Sequence, residues 1–219
     1  METNRIIEEL RAVAALDWGQ EQKAFYEQRA ADAKPVECVP LRDVFDESQM
    51  LFLRVNYRAQ QKMCYKNAAE LVTLMERHAW MFPEPGIYIE GFAYELWPIE
   101  HAFVKVGDKY IDPTFERTLH LDVRKEMYAS CIELPQLLMS KYQDETGYYG
   151  ELYKYDYLCK HRPELAERER ALNPQNRKKK QKTAPSGDTP KHGAAVKIPL
   201  SAIRWKKDTT KIGKNRHFR

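Results

Sequence analysis

Two short strand-like runs, residues 101–106 and 109–112, are separated only by Gly107-Asp108. A two-residue link of this kind closes a β-hairpin, and the glycine supplies the positive φ that the tight turn requires. No other feature constrains the fold as strongly, because a fixed turn fixes the register of both strands. Val106 then pairs with Lys109, Lys105 with Tyr110, Val104 with Ile111, and Phe103 with Asp112. Side chains two apart share a face. His101, Phe103, Tyr110 and Asp112 therefore fall on one face, and Val104 and Ile111 on the other. His101 and Asp112 become diagonal neighbours about 7 Å apart, within reach of two polar side chains. Pro113 stops the second strand beside the carboxylate.

A third strand-like run covers residues 87–93. From Cys64 onward the period is helical. Cys64, Ala68, Leu71, Val72, Met75 and Ala79 form one stripe, and Lys66, Glu70, Thr73 and Arg77 lie on the other face. Pro83, Pro85 and Gly86 end that segment. Residues 2–32 read as helix, with Ile6, Ile7, Leu10, Val13, Ala14 and Leu16 at three- and four-residue steps. Gly19 interrupts this run and Pro35 closes it. Residues 46–58 are mixed, with Leu51, Leu53 and Val55 in weak alternation. After Thr114 the helical pattern returns, at 135–142, 149–159 and the charged stretch 163–172. Helices, a short antiparallel sheet and further helices make an α+β arrangement rather than an alternating βαβ one.

Charge divides the chain in two. Residues 173–219 hold 14 Lys and Arg against 2 Asp and Glu, a net of +12, which leaves −8 on residues 1–172. We expect one α+β domain over 1–172 and a basic, largely disordered tail over 173–219. The run from Arg177 to Lys182 and the turn-rich 184–190 offer too little apolar surface to offset their ordering entropy. Only Val196 to Trp205 has apolar residues with which to dock. A polyanion or nucleic acid is the partner such a tail (177–219) suggests.

A body of this length supports its own core. Its four cysteines, at 38, 64, 131 and 159, form no CxxC pair and match neither a disulfide framework nor a zinc site. Free thiols imply a reducing compartment, so a cytoplasmic protein is expected. The start METNRIIEELRAV is acidic where a signal peptide is apolar, and no apolar run of about 20 residues occurs, so no membrane association is expected. There is no HExxH, GxxxxGK[ST] or GxGxxG, and the five-residue spacing of Glu90, Glu95 and Glu100 is not a metal-ligand pattern. No cofactor or metal is expected. The tyrosines at 142, 148, 149, 153, 155 and 157 read as packing rather than as a base-stacking platform.

Chemistry-bearing residues converge at three places. Cys64 opens a helix, where first-turn N–H groups and the helix dipole favour a thiolate. His101 opens a strand, and Asp112 closes the next strand on the same face. Taken singly, a cysteine is usually a small hydrophobe, and an Asp before Pro is usually a turn. Together, if the helix stripe covers the His101/Asp112 face, they form a nucleophile, a base and an orienting carboxylate.

At these residues the chain resembles a family. Gln61-Lys62-Met63-Cys64-Tyr65-Lys66-Asn67-Ala68, His101-Ala102-Phe103-Val104 and Tyr110-Ile111-Asp112-Pro113-Thr114 look like the transglutaminase-like branch of the papain-like thiol enzymes. The resemblance spans about residues 60–115. It matches in the order Cys, His, Asp, in the aromatic Tyr65 after the cysteine, in Ala102-Phe103 after the histidine and in Pro113 after the aspartate. The family's Gly-x-Cys approach is replaced by Lys62-Met63. The resemblance implies a papain-like core with Cys64, His101 and Asp112 as its triad. Gln60 or Gln61 stands as an oxyanion candidate beside the Cys64 N–H.

The reading that follows is cysteine-dependent acyl transfer or amide hydrolysis, of transglutaminase, protease or deamidase type. The substrate would be a peptide, a protein or an acylated small molecule. The alternatives are a catalytically silent copy of the same fold that serves as a binding module, and a nucleic-acid-associated protein acting through its tail.

Overall fold

The structure is a computed structural model that describes residues 5–16, 20–94 and 96–172. The expectations for Gly19, Glu95 and the basic tail, including Val196 to Trp205, lie outside the described residues. The architecture is α+β. Helices α1 (Arg5–Ala14) and α2 (Gln20–Asp32) precede the short strand β1 (Lys34–Val36). Helices α3 (Glu47–Asn56) and α4 (Cys64–Arg77) lead into β2 (Gly86–Tyr94), β3 (Pro98–Val106) and β4 (Lys109–Ile111). Strand β5 (Met127–Pro135) is followed by α5 (Gln136–Thr146), α6 (Leu152–His161) and α7 (Pro163–Leu172).

The sheet is antiparallel with strand order β1-β5-β2-β3-β4. The hairpin register matches the sequence reading: Val104 opposes Ile111, Lys105 opposes Tyr110 and Val106 opposes Lys109. Gly107 takes φ +61° in the turn. Soon after β1 leaves one edge, Cys38 bridges Tyr110 in β4 at the other, and the Val39 N–H donates to the Tyr110 carbonyl at 2.8 Å. The sheet therefore curls toward closure. Its inner face is filled by Cys38, Ile89, Ala93, Phe103, Phe115, Val123 and Tyr128.

Three expectations require correction. Residues 46–58 contain a helix, α3, started by a reciprocal cap between Asp46 and Gln49. Its apolar pattern is blurred because Leu51 and Val55 are exposed and only Leu53 is fully buried. The sheet has five strands rather than three, since β1 and β5 join it and Pro35 sits within the edge strand β1 instead of ending a helix. Finally, the α4 stripe of Ala68, Leu71, Val72 and Met75 packs on Tyr88, Ala102, Val104 and Ile111. That is the opposite face from Phe103, because the inner face is already occupied. Cys64 is only half-buried and Ala79 is exposed beyond the helix end. The tyrosine-rich segment is packing, as expected: Tyr148 and Tyr155 stack with centroids 4.1 Å apart and planes at 6°.

Helices α2 and α6 are fastened to the sheet by buried charge. Arg29 has no exposed surface, pairs with Glu100 at 3.2 Å and with Glu151, and donates to the Gly91 carbonyl at 3.3 Å. Glu90 accepts from the Tyr88 hydroxyl at 2.6 Å and from the N–H groups of Leu152 and Tyr153 at 2.7 and 2.8 Å. It therefore satisfies donors at the start of α6 from a neighbouring strand. Glu90 and Glu100 are thus structural anions on the outer face, back to back with His101.

Gly91 pairs with His101 on β3 and lies beside the irregularity that leaves β5 one residue longer. A Cβ at Gly91 would meet the Ala129 carbonyl oxygen at 1.9 Å. No rotamer relieves a backbone clash, so β2 and β5 would have to separate. Gly91→Ala should lower stability by about 3 kcal/mol, read from urea unfolding. A change within 0.5 kcal/mol would mean that the strands part without cost.

Candidate active site

Cys64 is the first residue of α4. The N-cap position holds Met63, which accepts no side-chain capping bond, and the first turn contains no acidic residue. The opening N–H groups of the helix thus lack a side-chain acceptor and face whatever approaches that end. Lys62, two residues earlier, adopts φ +61°, a left-handed conformation uncommon for a residue with a Cβ. The chain consequently turns sharply before it enters the helix.

His101 and Asp112 meet as the hairpin register requires. Asp112 Oδ2 lies 2.7 Å from His101 Nε2. The same oxygen accepts from the Tyr128 hydroxyl at 3.1 Å, and Oδ1 accepts from the N–H groups of Thr114 and Phe115 at 2.9 and 3.1 Å. Asp112 has no exposed surface, and a buried carboxylate is tolerable only when its lone pairs are filled this fully. The imidazole is buried and packs on Phe115, with ring centroids 4.5 Å apart. Cys64 lies close enough to the imidazole to help hold its proton. Because Nε2 is committed to Asp112, Nδ1 is the nitrogen left for a further partner. The three residues singled out in the sequence are therefore brought together, at the end of α4 rather than under its apolar stripe.

Burial by itself would lower the affinity of His101 for a proton. The charge and hydrogen bond of Asp112, followed by those of Cys64, outweigh it and raise the pKa to about 10. The ring therefore holds its proton above the ordinary imidazole range, with Nε2–H engaged by the carboxylate. Two further thiols are shifted by their surroundings. Burial holds Cys38 well above the ordinary thiol range, with Asp112 adding to the effect. Burial likewise raises Cys131 to about 11 against the opposing charge of Arg29.

Gln60 and Gln61 precede Cys64 with exposed side chains. Gln60 is held by its backbone. Its N–H donates to Asn67 Oδ1 at 2.9 Å, and its carbonyl accepts from Asn67 Nδ2 at 2.7 Å. Asn67 Nδ2 also donates to Thr114 Oγ1 at 3.0 Å. Asn67, Thr114 and Tyr128 are the site residues that sequence reasoning missed. Asn67 left a signal, since a poor helix former sits one turn after Cys64 in an otherwise favourable run. Tyr128 left none, because its strand was not recognised. Among the described residues no three His, Cys, Asp or Glu side chains are grouped to hold a metal ion. No described helix is long and apolar enough to cross a membrane.

An unfolded imidazole titrates near 6.5, whereas folded His101 retains its proton to about 10. Its contribution to stability is therefore complete below the unfolded value and is lost as pH rises through the folded one. Urea unfolding free energies should fall between roughly pH 6.5 and 10, and His101→Gln should flatten that decline. Equal slopes for the two proteins would show that the proton is not held there.

Comparison of the chain with protein-family models, with curated proteins and with solved structures finds no match.

Proposed function

We propose that the chain is a thiol-dependent acyl-transfer or amide-hydrolysing enzyme with a transglutaminase-like, papain-like core. Cys64 is its nucleophile, His101 its proton carrier and Asp112 its orienting anion. The observation that supports this most directly is the imidazole held by a buried carboxylate, with Nε2 2.7 Å from Asp112, and close to a helix-opening thiol. An imidazolium in that position stabilises a thiolate and holds the proton that a leaving amine needs.

In the first half-reaction the Cys64 sulfur attacks a substrate carbonyl carbon. The carbonyl π electrons move to oxygen, and the opening N–H groups of α4 are placed to receive that charge. Collapse of the intermediate expels the amine, which takes the proton from His101, and leaves a thioester. A water or an amine then attacks the thioester and gives its proton to His101. The thiolate departs, restoring the ion pair. Asp112 steadies the imidazolium. An amine acceptor gives transfer, and water gives hydrolysis or deamidation. The side-chain amide of Gln60 or Gln61 would add a donor there, and Asn67 fixes the Gln60 backbone.

Iodoacetamide should therefore modify Cys64 roughly tenfold faster than Cys38, Cys131 or Cys159 at neutral pH, as followed by peptide mass mapping. Cys64→Ala should abolish that adduct and turnover while leaving the thermal melt nearly unchanged, because the side chain is only half-buried. If Cys64 reacts no faster than the buried thiols, the fold serves as a binding module and the enzyme reading fails.

A further inference from the structure

Asn67 lies one turn beyond Cys64 on α4 and has no exposed surface. Its side-chain amide makes three hydrogen bonds, and none of them goes to its own helix. Two clasp both backbone groups of Gln60, in the loop that delivers the chain to Cys64. The third reaches Thr114 Oγ1, in the turn that carries Asp112. The Thr114 N–H in turn donates to Asp112 Oδ1 at 2.9 Å. Asp112 holds His101, and His101 lies beside Cys64. Cys64 and Asn67 belong to the same helix, so the sequence of contacts closes on itself: α4, Asn67, Thr114, Asp112, His101, Cys64, α4.

A closed ring does what the individual bonds do not. Within the ring, His101 is joined to α4 through two routes, its own contact with Cys64 and the path through Asp112, Thr114 and Asn67. A shift of the Asp112 turn away from α4 has to break the Asn67–Thr114 bond before it can pull the imidazole from the sulfur. The backbone of Asn67 adds to the anchorage, since its carbonyl accepts from the Tyr57 hydroxyl at 3.0 Å. Thr118 Oγ1 donates to the Thr114 carbonyl at 2.7 Å and steadies the other side of the turn.

We infer that Asn67 is a positioning residue: through Thr114 it holds the Asp112 turn against α4, and so keeps the His101 imidazole aligned between Asp112 and Cys64. Its side-chain hydrogen bonds go to Gln60 and Thr114, and none is made to Cys64 or His101. The inference rests on the acyl-transfer reading for its functional meaning, but the alignment itself is measurable without any substrate.

The test uses the full chain and four variants: Thr114→Val, Thr114→Ser, Asn67→Ala and Leu71→Ala. Thr114→Val deletes the single Oγ1 link and keeps the shape and the N–H to Asp112. Thr114→Ser restores the oxygen. Leu71→Ala is a core control outside the ring, expected to lower the melting temperature alone. The first readout is the titration of His101 by imidazole proton NMR. The second is the pH profile of Cys64 modification by iodoacetamide. In Thr114→Val and Asn67→Ala the His101 titration should move to lower pH, and Cys64 modification should slow by about tenfold or more. Thr114→Ser should behave as the parent, and Leu71→Ala should leave both profiles in place. Should Asn67→Ala fail to fold, the Thr114 pair decides the matter.

An unmoved His101 titration in Thr114→Val overturns the inference, as does an equal movement in Leu71→Ala. If instead the titration moves as expected while parental Cys64 is no more reactive than Cys38 and Cys131, the ring stands and the acyl-transfer reading is the part that falls.

Discussion

A carboxylate without water is the constraint around which this fold is arranged. Asp112 is sealed from solvent and accepts from His101, from two successive backbone N–H groups and from a tyrosine hydroxyl. Stripping an ionised carboxylate of its hydration costs several kcal/mol, and only a full set of donors offsets it. Those donors come from β3, from the turn after β4 and from β5. The sheet must therefore be assembled, with its strands in register, before the anion is comfortable. Conversely, the anion penalises any register that misplaces one of the three. The turn that follows is unusually wide, with Phe115–Leu119 in a π-type helical turn that ends in left-handed His120. Such turns recur at functional sites, and here the turn begins with two N–H groups aimed at Asp112.

The hairpin was legible because its information is local. Gly107-Asp108 sets the turn, the turn sets the pairing, and the pairing places His101 and Asp112 on a common face with no knowledge of the remaining fold. α4 was legible because Ala68, Leu71, Val72 and Met75 keep one period against one surface. β5 was not. Its run Met-Tyr-Ala-Ser-Cys-Ile-Glu-Leu-Pro loses alternation at the irregularity opposite Glu90 and Gly91, where an extra residue shifts the phase of everything after it. α3 hid for a different reason. With Leu51 and Val55 exposed, its apolar residues do not mark a single buried side, although the Asp46–Gln49 cap announces its start.

Which face α4 would cover was beyond a local reading. That choice depends on the curl that brings Cys38 to Tyr110 and fills the inner surface with aromatic rings. Once that surface is occupied, a long amphipathic helix can only pack outside, and it meets His101 with its end. The consequence is chemical as well as spatial. A helix offers its uncapped N–H groups at its end rather than along its side. The packing that contradicted the simplest expectation is also the packing that sets the thiol, the imidazole and those donors at one point.

Tyr128 serves a carboxylate that is not on a neighbouring strand. β2 and β3 both lie between β5 and β4, and strands lie about 5 Å apart, so the phenol reaches Asp112 across the curled inner face rather than along the sheet. On that face β2 presents Ala93 directly opposite Tyr128. The allowed size at Ala93 is therefore governed by something other than core volume. A bulkier side chain there, even one that the surrounding apolar cluster could absorb, would press on the ring and leave an oxygen of a distant anion short of a donor. A position that looks like plain hydrophobic filler also sets where a hydrogen-bond donor stands.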